Sequence, residues 1–131
     1  MILYEATIPL DPKTKKNSME IKYRQSRGGY AIPFISQSDT YKQYERDCGY
    51  FLRKIPKPIN ETVNIRYTFY RQTQRRCDLS NLIASIDDIL VKYGIIEDDN
   101  YKIIAGHDGS RVRIDKDNPR TEIIIERIDE Q

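Results

Sequence analysis

The chain alternates apolar and polar positions from its second residue. Ile2, Tyr4, Ala6 and Ile8 fall on one side of a two-residue repeat, Leu3, Glu5 and Thr7 on the other, and Pro9 stops the run. That pattern predicts a strand over 2–8. Residues 62–71 repeat it more cleanly, with Val63, Ile65, Tyr67 and Phe69 on one face and Thr62, Asn64, Arg66, Thr68 and Tyr70 on the other. Between these runs, residues 19–35 carry strand-like pieces around Arg24, Arg27 and Gly28-Gly29, which predicts a flexible hairpin. The period then changes twice. From Ser38 or Asp39, either of which can cap a helix, Tyr41, Tyr44, Cys48, Phe51 and Leu52 recur at helical spacing. They predict a helix to Lys54, closed by Pro56-Lys57-Pro58. A second helix is predicted from Asp78 to Gly94, with Leu79, Leu82, Ile83, Ile86, Leu90 and Tyr93 in one stripe and glycine at its stop. Beyond the acidic Glu97-Asp98-Asp99-Asn100 loop the pattern predicts a meander. Its parts are a strand from Tyr101 to Ala105, a hairpin turn at Asp108-Gly109, a strand from Arg111 to Ile114 and a last strand from Thr121 to Ile128. The expected class is α+β: a small mixed or antiparallel sheet with two main helices packed on it, in a single domain over residues 1–131.

Composition narrows what such a domain can do. A chain of 131 residues buries roughly two-thirds of its unfolded surface, enough for a core without staples. No apolar run approaches the roughly 20 residues of a membrane span, so no membrane partner is expected. Met1 to Glu5 lacks the basic and apolar regions of a signal peptide, and Cys48 and Cys77 are too few for a disulfide framework. A cytoplasmic, reduced protein is the expectation. The net charge of +2 conceals an asymmetry: residues 1–77 hold 15 Lys/Arg against 7 Asp/Glu, and residues 78–131 hold 7 against 13. A basic half can grip phosphates while an acidic half holds a divalent cation.

Elimination leaves little but carboxylates for chemistry. The single histidine, His107, argues against histidine metal clusters. No glycine-rich phosphate loop occurs, and Asp98-Asp99-Asn100 lacks the spacing of a calcium loop. Asp78 stands where the basic segment Arg71 to Arg76 meets the second helix, and Asp98 and Asp99 lie just beyond that helix. Asn81, Ala84 and Asp88 form a polar stripe opposite the apolar one. A helix of about 15 residues spans roughly 22 Å, so Asp78 and Asp99 meet only if the chain returns along it. Each feature also has a plainer role. Asp78 suits an N-cap, Asp98-Asp99-Asn100 a solvated turn, and Asp87-Asp88 an exposed helix face. The ten tyrosines suit core and dimer contacts, with Tyr23, Tyr30 or Tyr70 able to stack on bases or sugars.

The stretch Arg75-Arg76-Cys77-Asp78-Leu79-Ser80-Asn81-Leu82 resembles the signature of the RusA family of Holliday-junction resolvases, in which basic residues precede Asp-Leu-Asp-Asn-Leu. The spacing continues through Asp88, Leu90, Gly94 and the pair Asp98-Asp99, and Ile8-Pro9 with Lys15-Lys16-Asn17 is similar to the family's first loop. The resemblance implies a homodimer that nicks four-way DNA junctions symmetrically in recombination and repair, using Mg2+ with Mn2+ as a substitute. It is expected in a bacterial cytoplasm, from a host or a phage. Metal ligands carry over to Asp78 and Asp99, with Asp98, Asp88 or Ser80 in support. Lys13, Lys15, Lys16, Asn17, Arg71, Arg75 and Arg76 are the expected DNA contacts. Two positions depart: the family's second motif aspartate is Ser80 here, and its catalytic lysine falls at Ala84. Arg75, Arg76 or Lys102 can supply a replacement cation; otherwise the alternative is a weak or inactive junction-binding protein.

Overall fold

The computed structural model describes residues 1–15 and 19–128. Seven strands and two helices follow in the order β1 (Ile2–Ile8), β2 (Met19–Gln25), β3 (Ala31–Gln37), α1 (Asp39–Tyr50), β4 (Val63–Arg71), α2 (Leu79–Lys92), β5 (Ile104–Gly106), β6 (Arg111–Ile114) and β7 (Arg120–Arg127). The main sheet runs β1-β7-β4, with β5 and β6 both on the far side of β4. β7 pairs antiparallel with both neighbours. The sheet is mixed and carries two helices, as the expected α+β class requires.

The two alternating runs form β1 and β4, and each buries its apolar set. Val63, Ile65, Tyr67 and Phe69 are fully buried and meet Leu82, Ile86, Ile89 and Leu90 of α2 in one core cluster. Ser38 caps α1 by accepting a hydrogen bond from the Tyr41 amide at 3.1 Å. That helix stops at Tyr50, four residues short of the expected Lys54. Its last turn tightens, with the Phe51 amide donating to the Cys48 carbonyl at 3.1 Å, and Leu52 then turns into the core. The freed Arg53 carbonyl accepts from the Tyr4 hydroxyl at 2.8 Å, tying the exit of α1 to β1. Leu79, expected in the buried stripe of α2, sits at its first turn and is 36 % exposed.

The segment after α2 is not a meander. β5 pairs parallel with β4 at Val63 and Asn64, and β6 pairs parallel with it from Thr68 to Arg71. The two are one edge strand, broken by residues 107–110 where a hairpin was expected. Side chains patch the break. Asn64 accepts from the Asp108 amide at 2.7 Å and donates to its carbonyl at 3.2 Å, and the Ser110 hydroxyl accepts from the Tyr67 amide at 3.0 Å. β5 is also shorter than the expected Tyr101–Ala105 strand. The Asn100 side chain accepts from the Lys102 amide and its carbonyl accepts from the Ile103 and Ile104 amides, closing a turn first.

Helices α1 and α2 approach closely at Gly49. A methyl group there would lie 2.5 Å from the Tyr93 ring, whose hydroxyl donates to the Glu45 carbonyl at 3.0 Å. Gly49→Ala is therefore expected to destabilise the fold by about 1–3 kcal/mol through overpacking, although alanine is the better helix former by about 1 kcal/mol. Urea unfolding checks this; a gain in stability would show that the Tyr93 ring moves aside freely.

Candidate active site

The site is assembled where two loops meet the polar side of α2. After β4 the chain passes through Gln72, whose amide donates to the Asp11 carboxylate at 2.8 Å. The Arg71 guanidinium bonds the Arg75 carbonyl, so Arg71 braces this loop. Arg75 and Arg76 are exposed, while Lys13 is half-buried in the facing loop. That loop then lies on α2: the Lys15 amide donates to the Ser85 hydroxyl at 2.9 Å, and its ammonium reaches the Asp88 carboxylate at 3.6 Å. Lys16 and Asn17 lie outside the described residues.

Asp78 occupies the N-cap position of α2, and its carbonyl accepts from the Asn81 amide at 3.1 Å. Its side chain makes no capping hydrogen bond; one carboxylate oxygen stands 3.5 Å from the Asn81 side-chain amide. The exposed carboxylate is thus not consumed by the helix, as a simple cap would be. Ser80 and Ala84 are exposed. Asp88 lies ten residues further on, roughly 15 Å along the helix axis.

The acidic loop divides its labour. Asp98 accepts from the Asp99 amide at 2.7 Å and from the Asn100 side chain at 3.1 Å, and so organises the turn. The Asp99 carboxyl bonds its own backbone amide and shares a hydrogen bond with Asp98. Partial burial, a hydrogen bond with Asp98 and the charges of Asp88 and Asp98 push that carboxyl above the usual carboxylate range. The structure therefore sets Lys15 on Asp88, lets the charges of Asp88 and Asp98 reach Asp99, and leaves Asp78 with Asn81 at the start of α2. Among the described residues, no three His, Cys, Asp or Glu side chains close on one point.

Asp87 is not a surface residue. It is 7 % exposed and turns inward, accepting from the Tyr67 hydroxyl at 2.6 Å, with His107 Nε2 3.0 Å from its carboxylate. Burial, reinforced by Asp87, pushes the Tyr67 phenol well above its ordinary value, so it stays a neutral donor. The His107 ring stacks on Tyr67 at 5.7 Å. This inward peg fixes the rotation of α2 and leaves the neighbouring Asp88 to face outward. One signal in the chain pointed to it: a tyrosine in the buried stripe of β4 needs a partner for its hydroxyl. Burial also pushes the Cys48 thiol up to about 12, which keeps it a protonated core residue.

A family model described as endodeoxyribonuclease RusA matches residues 9–126. The chain belongs to the RusA family. A search of curated proteins finds no match. RusA membership makes the chain an endodeoxyribonuclease by descent and branched DNA its substrate class. No helix among the described residues is long and apolar enough to cross a membrane. The unspent carboxylate of Asp78 stands at the start of α2, and Asp99 lies in the loop that follows this helix.

Proposed function

We propose that this protein is a Mg2+-dependent, structure-selective endodeoxyribonuclease that resolves four-way DNA junctions as a homodimer in recombination and repair. One observation carries the reading: Asp78 leaves its carboxylate unspent at the start of α2, and Asp88 on the same helix pairs with Lys15 while its charge reaches Asp99. Asp88 and Asp99 form one acidic locus and Asp78 with Asn81 another, and the reading places a metal ligand in each, with Asp98 and Ser80 in support. Such hard oxygens fit magnesium, whose shell takes one or two protein carboxylates and fills with water and phosphate. When bound, the metal would supply an activated water and stabilise charge on the phosphodiester. The chain's own residues position the DNA. Arg75 and Arg76 lie just before the start of α2 on the loop that Arg71 holds. Lys15 lies against the middle of that helix, and Lys13 lies two residues earlier in the same loop as Lys15, with Lys16 and Asn17 adjoining in sequence.

Lys15 answers the question raised by Ala84. Ala84 lies one turn before Asp88 on the same stripe, so the ammonium arrives on the side of α2 where the family signature places its lysine. The homodimer has support in the β2–β3 hairpin, which among the described residues pairs with no other strand. Ile21, Tyr23 and Ile35 share one face of it and are 64 %, 67 % and 72 % exposed. An isolated two-stranded hairpin is marginal in water, and a second copy covers such a face.

Lys15→Met is expected to slow metal-dependent nicking of a four-way junction by roughly tenfold to a hundredfold, with Lys15→Arg recovering most of the rate. Nicking by Lys15→Met at the wild-type rate would remove this residue from the chemistry. The same preparations are expected to bind the junction more tightly than a linear duplex of equal length, and equal binding would remove the resolvase reading.

A further inference from the structure

The main sheet has a second face, turned away from both helices. Its residues alternate with the buried set: Asn64, Arg66, Thr68 and Tyr70 on β4, Arg111 and Arg113 on β6, and Arg120, Glu122, Ile124 and Glu126 on β7. In a sheet covered by helices on one face only, the outer face is ordinarily a mixed, solvated surface. Here its charge is sorted. Glu5, Glu122 and Glu126 lie on the β1–β7 side, and Arg66, Arg111 and Arg113 lie together on the β4–β6 side.

Those three arginines are exposed, and none has a hydrogen-bond or ion-pair partner among the described residues. They line a groove of about 270 Å³ together with Thr68, Tyr70 and Gly109. Register fixes their placement, since Arg111 is beside Thr68 and Arg113 beside Tyr70 across the parallel pair. Arg66 is held at the third corner by the broken edge strand. Gly109 adopts φ +86°, and a methyl group there would lie 2.8 Å from the Arg66 side chain, so the stem of Arg66 lies across the glycine. Glu122, the one acid among the described residues that line the groove, is already engaged by Arg120 at 3.1 Å. Arg120 also bonds Asp115 at 2.9 Å and stacks on the Tyr70 ring at 3.6 Å. The groove therefore presents three uncommitted guanidinium groups, a threonine hydroxyl and an aromatic ring with its acid neutralised.

We propose that this face, through Arg66, Arg111 and Arg113, is a second DNA-binding surface that grips the phosphate backbone of a duplex arm. The ligand chemistry is a run of phosphodiesters: guanidinium groups bond phosphate oxygens bidentately, and threonine hydroxyls commonly add to such contacts. α2 packs on the other side of β4 through the Tyr67–Asp87 bond, so this surface and the candidate active site lie on opposite sides of the sheet. A branched substrate with several duplex arms offers backbone to both. The inference rests on the branched-DNA reading of the substrate, but not on catalysis.

The test is the full-length protein carrying Arg66→Gln, Arg111→Gln and Arg113→Gln, measured by fluorescence anisotropy on a labelled four-way junction and on linear duplex across about 50–200 mM NaCl. Each lost phosphate contact removes about 0.9 from the slope of log K against log salt, so the triple variant is expected to bind with a slope shallower by roughly 2 to 3. Junction and duplex are expected to weaken alike, because backbone contacts carry no information about branching. Thermal unfolding should be unchanged, since the three side chains break no bond within the protein on leaving. An unchanged salt slope overturns the proposal. So does a change confined to oligomeric state in size-exclusion chromatography, which would make the face a protein interface. Failure of the nuclease reading is seen separately: wild-type protein that never nicks, yet loses slope in the triple variant, keeps this surface and loses the catalysis.

Discussion

Asp99→Asn is expected to lower junction nicking by roughly a hundredfold or more while making the metal-free protein more stable than wild type. Both effects come from the same crowding. The Asp99 carboxyl is pushed up by burial, by its hydrogen bond with Asp98 and by the charges of Asp88 and Asp98. A carboxyl raised in the folded state favours the fold in its protonated form. That contribution is present below the ordinary carboxylate range and is lost as pH rises through the raised value. At neutral pH the ionised group is thus a liability in the absence of a cation, and asparagine removes it without changing size. The stability difference is expected to vanish in acid and to shrink when Mg2+ is added to wild type, which neutralises the cluster. Thermal unfolding with and without Mg2+, beside a nicking assay, checks the pair. A variant that unfolds earlier than wild type at neutral pH and nicks at its full rate would show that Asp99 is an ordinary turn residue.

The second large effect lies in the core. Asp87→Ala is expected to cost about 2–4 kcal/mol, because it strands the Tyr67 hydroxyl in a fully buried position and leaves His107 without its carboxylate. Tyr67→Phe should cost less, about 1 kcal/mol, since Asp87 keeps His107. The two changes should not add. Once Asp87 is gone, replacing tyrosine by phenylalanine removes an unpaired polar group, so the double variant should recover roughly 1–2 kcal/mol of the sum. Urea unfolding of the four proteins measures this coupling, and a value near zero would mean that water replaces Asp87 at the hydroxyl.

The peg also shows where sequence reading reaches and where it stops. β1, β4 and the limits of α2 are legible, because a two-residue and a 3.6-residue period point to one face each, and Gly94 stops the helix at φ +74°. Asp78, Asp88 and the Asp98-Asp99 pair are legible as candidates from their spacing around α2. Their division of labour is not. Whether Asp78 spends its carboxylate on capping depends on a rotamer, and which of two adjacent aspartates organises a turn depends on local hydrogen bonds. Asp87 and Asp88 are identical side by side, and only the rotation of α2 against Tyr67 turns one inward. The edge strand misleads for a related reason. Asp108-Gly109 is good chemistry for a hairpin, and nothing nearby in the chain reveals that Asn64, more than forty residues earlier, takes over its hydrogen bonds. Lys15 was legible as part of a basic loop, but its place beside Asp88 depends on an anchor at Ser85, seventy residues away.

The central claim is metal-dependent resolution of a branched substrate by carboxylates flanking α2, and one measurement tests it most directly. A labelled, immobile four-way junction is incubated with wild-type protein with and without Mg2+, beside Asp78→Asn. The account predicts paired, symmetric nicks that require the metal and are lost in the variant. Wild-type protein that binds the junction without nicking it, or an Asp78→Asn protein that nicks as well as wild type, would contradict it.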